Sequence, residues 1–130
     1  MTKFFISPGD PSGIGPEITL KALSKNEDIQ NNFVLAGDKT LYLDLIDRNN
    51  IDLNLIDESS KEKGVIFKHF PLQNQVSLGK PDVANANYII DILSYGALGC
   101  LKKEFKGLIT GPINKELINE SGFEFSGHTE

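Results

Sequence analysis

The sequence predicts an α/β fold with three layers, a mostly parallel sheet carrying helices on both faces. Two observations point there. Short apolar runs of strand length alternate with longer segments whose apolar residues recur at spacings of three and four, as in consecutive βαβ units. Two loops rich in glycine and proline, Pro8–Gly15 and Gly111–Pro112, each follow a strand-like run and open a helical pattern.

Taken in order, Lys3–Ser7 reads as the first strand and Pro8–Gly15 as the loop after it. Pro16 suits the first turn of a helix, where a missing N–H is harmless. That helix carries Ile18, Leu20, Ala22 and Leu23 and ends near Asn26. Phe33–Ala36 is the second strand. Asp38 can cap the next helix, with Leu41, Tyr42, Leu45 and Ile46 on one face and Asn49-Asn50 at its end. Leu53–Ile56 and Val65–Phe67 are short strands separated by the charged loop Asp57–Gly64, and Pro71–Gly79 reads as loop. The longest helix is predicted over Asp82–Glu104, on a stripe of Ala86, Ile89, Ile90, Leu93, Ala97, Leu98 and Leu101 that would face the sheet. Gly96 and Gly99 would let another element approach it closely. Gly107–Thr110 is a further strand, and Asn114–Glu120 begins another helix. The chain stops at Gly127-His128-Thr129-Glu130 with no closing element, so residues 1–130 are expected to be the N-terminal portion of a longer fold.

At 130 residues, 39% hydrophobic and 24% charged, the composition fits one soluble globular domain. Thirteen Lys plus Arg against eighteen Asp plus Glu give a net charge of −5, which disfavours nucleic acid as a partner. No basic run could hold an anionic membrane, and no apolar run approaches the length of a membrane span. The N-terminal apolar run is halted by Ser7-Pro8-Gly9-Asp10 before a signal peptide could form. Cys100 is the lone cysteine, so a reducing, cytoplasmic compartment is expected; on the long helix it reads as a core residue.

Three segments carry chemistry. In Pro8–Glu17, Gly13 and Gly15 let backbone approach a ligand and turn N–H groups outward, and the following helix N-terminus favours an anion. It is not a dinucleotide fingerprint. The third glycine is missing, and no acid clearly takes the ribose. A tight turn that binds nothing would look the same. In Thr110-Gly111-Pro112-Ile113-Asn114-Lys115, a strand end offers a hydroxyl, an amide and a mobile cation where open parallel sheets bind ligands. Equally, Asn114 could cap a helix and Lys115 could be solvated. In Ser126-Gly127-His128-Thr129-Glu130, an imidazole, hydroxyls and a carboxylate lie within five residues, although a solvated loop histidine is the plain alternative. His69, in an apolar segment, reads as a packed or edge-strand residue. With two histidines, no three-histidine metal site can be complete in this chain.

Gly9–Glu17, Gly107–Lys115 and Gly122–Glu130, in that order, resemble the 4-hydroxythreonine-4-phosphate dehydrogenase family of pyridoxal 5′-phosphate biosynthesis. A shorter relative of the first motif occurs in isopropylmalate and isocitrate dehydrogenases; the second and third together are specific. The resemblance implies the N-terminal part of a two-domain α/β dehydrogenase, much longer than this chain, homodimeric, with its active site in the interdomain cleft. It implies NAD-dependent oxidation of the substrate's C3 hydroxyl, then loss of carbon dioxide from the β-keto acid to give 3-amino-2-oxopropyl phosphate. A divalent metal (Zn, Mg or Co) would act as Lewis acid, with ligands outside this chain. The partner implied is a small phosphorylated hydroxy-amino acid. His128 and Thr129 match the family's substrate-binding pair, while Asp10, Gly13, Gly15, Glu17, Thr110, Asn114 and Lys115 are expected to line the cleft. The truncation leaves the segment alone expected to be inactive. The alternatives are a related decarboxylating dehydrogenase of another hydroxy acid or dihydrodiol, and a non-catalytic α/β module that binds a phosphorylated metabolite.

Overall fold

The computed structural model describes residues 3–73, 79 and 82–112. Within them five strands form one sheet: β1 Phe4–Ser7, β2 Phe33–Gly37, β3 Leu55–Ile56, β4 Val65–His69 and β5 Gly107–Thr110. Their order is β3-β4-β2-β1-β5, and every pairing is parallel. Three α-helices accompany them: α1 Gly15–Ser24, α2 Lys39–Arg48 and α3 Ala86–Leu101.

Strand alternation divides the core in two. Phe5, Val34 and Ala36 point to one face and pack with Ala86, Tyr88, Ile89 and Ile92 of α3 and with Phe105. Ile6, Leu35 and Val65 point to the other face and meet Leu20 and Leu23 of α1 and Tyr42 and Leu45 of α2. The three layers are therefore α1/α2, sheet and α3, as the sequence pattern predicts. All the pairings being parallel, crossovers on both faces are required, and the short strands read as nearly continuous apolar runs.

Several boundaries differ from expectation for local reasons. The long helix is shorter than Asp82–Glu104. Val83–Asn85 is a 3-10 turn opened by the Asp82 carboxylate, which accepts from the Ala84 N–H at 2.9 Å. At the other end Lys103 adopts φ +63°, and the Glu104 and Phe105 N–H groups both return to the Gly99 carbonyl. The buried stripe also shifts: Ile92, Gly96 and Gly99 face the sheet, whereas Leu98 and Leu101 are exposed. The glycines admit aromatic rings. A Cβ at Gly96 would stand 2.6 Å from Phe5 Cδ2, and one at Gly99 2.4 Å from Phe105 Cδ2. The 3-10 turn Glu27–Asn32 was not legible in its polar sequence. Of the predicted strand Leu53–Ile56, only Leu55–Ile56 pairs; Leu53 is buried in the α1/α2 core instead. Cys100 is half-buried at the edge of the α3 core. His69 ends β4 exposed, its Nδ1 accepting from the Lys39 N–H at 3.0 Å. The predicted Asn114–Glu120 helix and most of the 71–79 loop lie outside the described residues.

The winding direction reverses at β1. From β1 the chain proceeds to β2 and the β3/β4 side, then returns through α3 to place β5 on the opposite flank of β1. Such a reversal opens a crevice beyond the strand C-termini, the usual ligand position in this architecture.

Candidate functional site at the β1/β5 crest

The last β1/β5 pair is Ser7 with Thr110, and the two Gly/Pro loops leave the sheet side by side from there. They are hydrogen-bonded to each other. The Gly111 N–H donates to the Ser7 carbonyl at 2.7 Å, and the Asp10 N–H donates to the Pro112 carbonyl at 2.9 Å. The Pro8 carbonyl lies between two glycines: a Cβ at Gly15 or at Gly111 would sit 2.1 Å from its oxygen. Gly9, at φ +89°, leaves room for the Pro112 carbonyl, only 2.2 Å from where its Cβ would be. Only glycine permits this backbone contact at that φ.

Asp10 organises the first loop. Its Oδ1 accepts from the Ser12 N–H at 2.9 Å and the Ser12 hydroxyl at 2.7 Å, while its carbonyl accepts from the Gly13 N–H at 3.1 Å. This is an Asx turn, in which a short carboxylate substitutes for a backbone acceptor two residues away. Ser12 is buried, and its carbonyl accepts from the Gly79 N–H at 2.9 Å, bringing a third segment to the crest. The loop amides were expected to point outward. Instead those of Asp10, Ser12 and Gly13 are used internally, because glycine here serves close backbone packing. Of Gly9, Gly13 and Gly15, only Gly13 has ordinary space at its Cβ position, with the nearest atom at 3.5 Å.

What remains for a ligand is the first turn of α1. Ile14, its N-cap, offers no side-chain cap, and first-turn amides such as Gly15 and Glu17 have no intrahelical acceptor. Glu17 lies in that turn and pairs with Lys21 at 3.2 Å, both side chains well solvated. Thr110 is half-buried at the end of β5. The structure thus brings Asp10, Gly13, Gly15, Glu17 and Thr110 to one end of two adjacent strands and their loops. Asn114, Lys115, His128 and Thr129 lie outside the described residues. Among the described residues no group of three His, Cys, Asp or Glu side chains could hold a metal.

Sequence reading passed over Gly9, Ser12 and Pro112 as participants in this junction. The Asp10-x-Ser12 spacing was the available signal for the turn. Asp38 caps α2 as the sequence predicts, but the wider cluster it joins at the ends of β2 and β4 has no local signature. There Asp38 Oδ1 caps α2 at the Leu41 N–H (3.0 Å) and Oδ2 accepts from the Leu72 N–H (2.8 Å). The Asp38 N–H donates to the Tyr88 hydroxyl at 2.8 Å. Burial pushes the Tyr88 phenol well above the usual tyrosine range. The Asp38 N–H bond opposes that rise, and the Asp38 charge adds to it. Burial likewise raises Tyr42, with smaller contributions from Tyr88 and Asp38.

A cavity of about 560 Å³ lies beside Lys3, Gln30, Asn31 and Gly64, at the opposite, N-terminal edge of the strands. It contains none of the motif residues, so the strand-end rule favours the crest instead.

Comparison with known proteins agrees with this fold. The family model described as "Pyridoxal phosphate biosynthetic protein PdxA" matches residues 28–130. A 4-hydroxythreonine-4-phosphate dehydrogenase of Vibrio parahaemolyticus is 36% identical over 98% of this chain, and its Vibrio cholerae counterpart is 33% identical over 98%. The chain spans 40% of the length of each of these relatives. The crystal structure of 4-hydroxythreonine-4-phosphate dehydrogenase from Klebsiella pneumoniae superposes with a TM-score of 0.86 at 23% identity, over 99% of this chain and 42% of that one, which shows the shared fold. On the strength of the family match, the chain belongs to the pyridoxal phosphate biosynthetic protein PdxA family.

Proposed function

We propose that residues 1–130 are the N-terminal portion of a 4-hydroxythreonine-4-phosphate dehydrogenase and contribute one wall of its substrate cleft. The observation that carries this is the pair of Gly/Pro loops hydrogen-bonded together at the β1/β5 crest, where the sheet reverses its winding. The name of its relatives, 4-hydroxythreonine-4-phosphate dehydrogenase, supports this reaction class. In this reading 4-hydroxythreonine 4-phosphate would be oxidised at C3, the hydride leaving the C3–H bond for NAD and the C3 hydroxyl releasing its proton as the ketone forms. The resulting β-keto acid then loses carbon dioxide and leaves 3-amino-2-oxopropyl phosphate.

The described residues do not offer a donor set for the divalent metal, so no step is assigned to it on them. For NAD or a substrate phosphate they offer the first turn of α1, whose dipole and orphan amides suit an anion. His128 and Thr129 are the proposed substrate contacts, with Asp10, Gly13, Gly15, Glu17, Thr110, Asn114 and Lys115 around the cleft. The reading carries with it a cytoplasmic homodimer of the longer protein.

The deciding experiment is NADH formation from 4-hydroxythreonine 4-phosphate with a divalent metal present, run on this chain and on the longest product of its gene. Turnover by the long form is expected. Absence of turnover by both would reject the substrate assignment, in favour of a related hydroxy-acid dehydrogenase or a binding module.

A further inference from the structure

We propose that Asp10 is a positioning residue: its carboxylate fixes Ser12, whose carbonyl in turn holds Gly79, in the loop that its own backbone N–H ties to the Pro112 carbonyl of the cleft wall. The inference rests on the functional reading above and assigns a specific task within it. Four groups depend on this residue. The Asp10 N–H holds the Pro112 carbonyl, the Asp10 carbonyl holds the Gly13 N–H, and Oδ1 holds both the Ser12 N–H and hydroxyl. Ser12, thereby fixed and only 3% exposed, presents its carbonyl to the Gly79 N–H. The loop after β1, the turn after β5 and Gly79 are thus joined around Asp10 and Ser12.

The glycines make this splice stiff. Gly9 and Gly15 lie against the Pro112 and Pro8 carbonyls so closely that no Cβ fits, so the backbones have little room to slide independently. Among the described residues the Asp10 carboxylate is the side-chain acceptor that holds Ser12, and its removal introduces no clash. Without its acceptor, the buried Ser12 N–H and hydroxyl must find water or rotate away. Ser12 would then release Gly79, and the start of α1 would shift relative to Thr110. Displacements of about 1 Å can reduce turnover roughly a hundredfold when reacting groups are held by such loops.

What Oδ1 supplies is an acceptor rather than a charge, and that separates this task from direct ligand binding. Asparagine retains an Oδ1 in the same place; alanine does not. The test therefore compares Asp10→Ala and Asp10→Asn in the longest product of the gene. It measures kcat and KM with 4-hydroxythreonine 4-phosphate, and amide hydrogen exchange at Gly13 and Gly79. Asp10→Ala is expected to lower kcat/KM by about tenfold to a hundredfold and to speed exchange at both glycines. Asp10→Asn is expected to restore both readouts to near wild type. Should Asp10→Ala fail to fold, Ser12→Ala, which removes only the hydroxyl bond, replaces it with a smaller loss in the same direction.

Equal damage from alanine and asparagine would overturn the proposal, because the charge would then matter. Wild-type kinetics and protection in Asp10→Ala would overturn it too. A wild-type enzyme inactive on this substrate rejects the functional reading alone. Exchange then decides the splice, which stands if Gly13 and Gly79 lose protection in Asp10→Ala and keep it in Asp10→Asn, and falls otherwise.

Discussion

The Tyr88 hydroxyl accepts a hydrogen bond from the Asp38 N–H at 2.8 Å, tying α3 to the start of α2 although the two helices pack on opposite faces of the sheet. Tyr88 is buried and Tyr42 more so, and burial is the main reason both phenols resist ionisation. The native chain therefore keeps two protons that the unfolded chain releases near pH 10. Their contribution is constant below about pH 10 and is lost as pH rises, since the native state then binds more protons than the unfolded one. Each phenol adds about 1.4 kcal/mol of destabilisation per pH unit in that window. Urea midpoints between pH 8 and 11 should show the decline. Tyr88→Phe should lower stability by about 1 kcal/mol at pH 8 and flatten the alkaline slope; an unchanged slope would count against the assignment.

Asp38 uses both carboxylate oxygens on backbone N–H groups 31 residues apart, Leu41 and Leu72. Asp38→Ala should destabilise the fold by about 2–3 kcal/mol, from loss of a helix cap and of a charge-assisted bond. Asp38→Asn keeps one acceptor and should fall between alanine and wild type. Thermal unfolding of the three proteins checks the order.

Gly13 and Gly15 are two residues apart and should respond very differently to alanine. At Gly15 the new methyl would meet the Pro8 carbonyl at 2.1 Å; at Gly13 the nearest atom is at 3.5 Å. Gly15→Ala should destabilise by about 2 kcal/mol or more through a forced backbone shift, whereas Gly13→Ala should stay within about 1 kcal/mol. Equal melting temperatures would show that the loop relaxes freely.

Gly96→Ala places a methyl 2.6 Å from Phe5 and 2.8 Å from Leu108. Overpacking of this kind costs about 1–3 kcal/mol. The same variant on a helix surface would be stabilising, since alanine is the better helix former. The sign of the change in urea midpoint reports which effect wins, and destabilisation is expected.

In the longest product of the gene, His128→Ala should lower substrate affinity or turnover while leaving the melting temperature unchanged. An imidazole that binds an anion or moves a proton contributes little to folding when it stands in a cleft. Wild-type kinetics in this variant would remove His128 from the site.

The sequence by itself determined the order of elements, because strand-length apolar runs and three/four-spaced stripes are local patterns. It placed Phe33, Asp38, Val65 and Gly107 at or beside the element starts where the structure has them. It also located the two Gly/Pro loops and their neighbouring strand ends. The ends of α3 were misplaced for local reasons, but the rest of what it misplaced depended on tertiary packing. The face of α3 that is buried was decided by Phe5 and Phe105, whose rings fill the space Gly96 and Gly99 leave, so Leu98 and Leu101 turn outward. The glycines of the first loop looked suited to a ligand. The tertiary fold gives Gly9 and Gly15 to the Pro112 and Pro8 carbonyls instead. Hydrogen bonds such as Asp10 to Pro112, 102 residues apart, have no local signature. They arise because a parallel sheet brings distant strand ends together, and that proximity is fixed by strand order, which residue patterns do not encode.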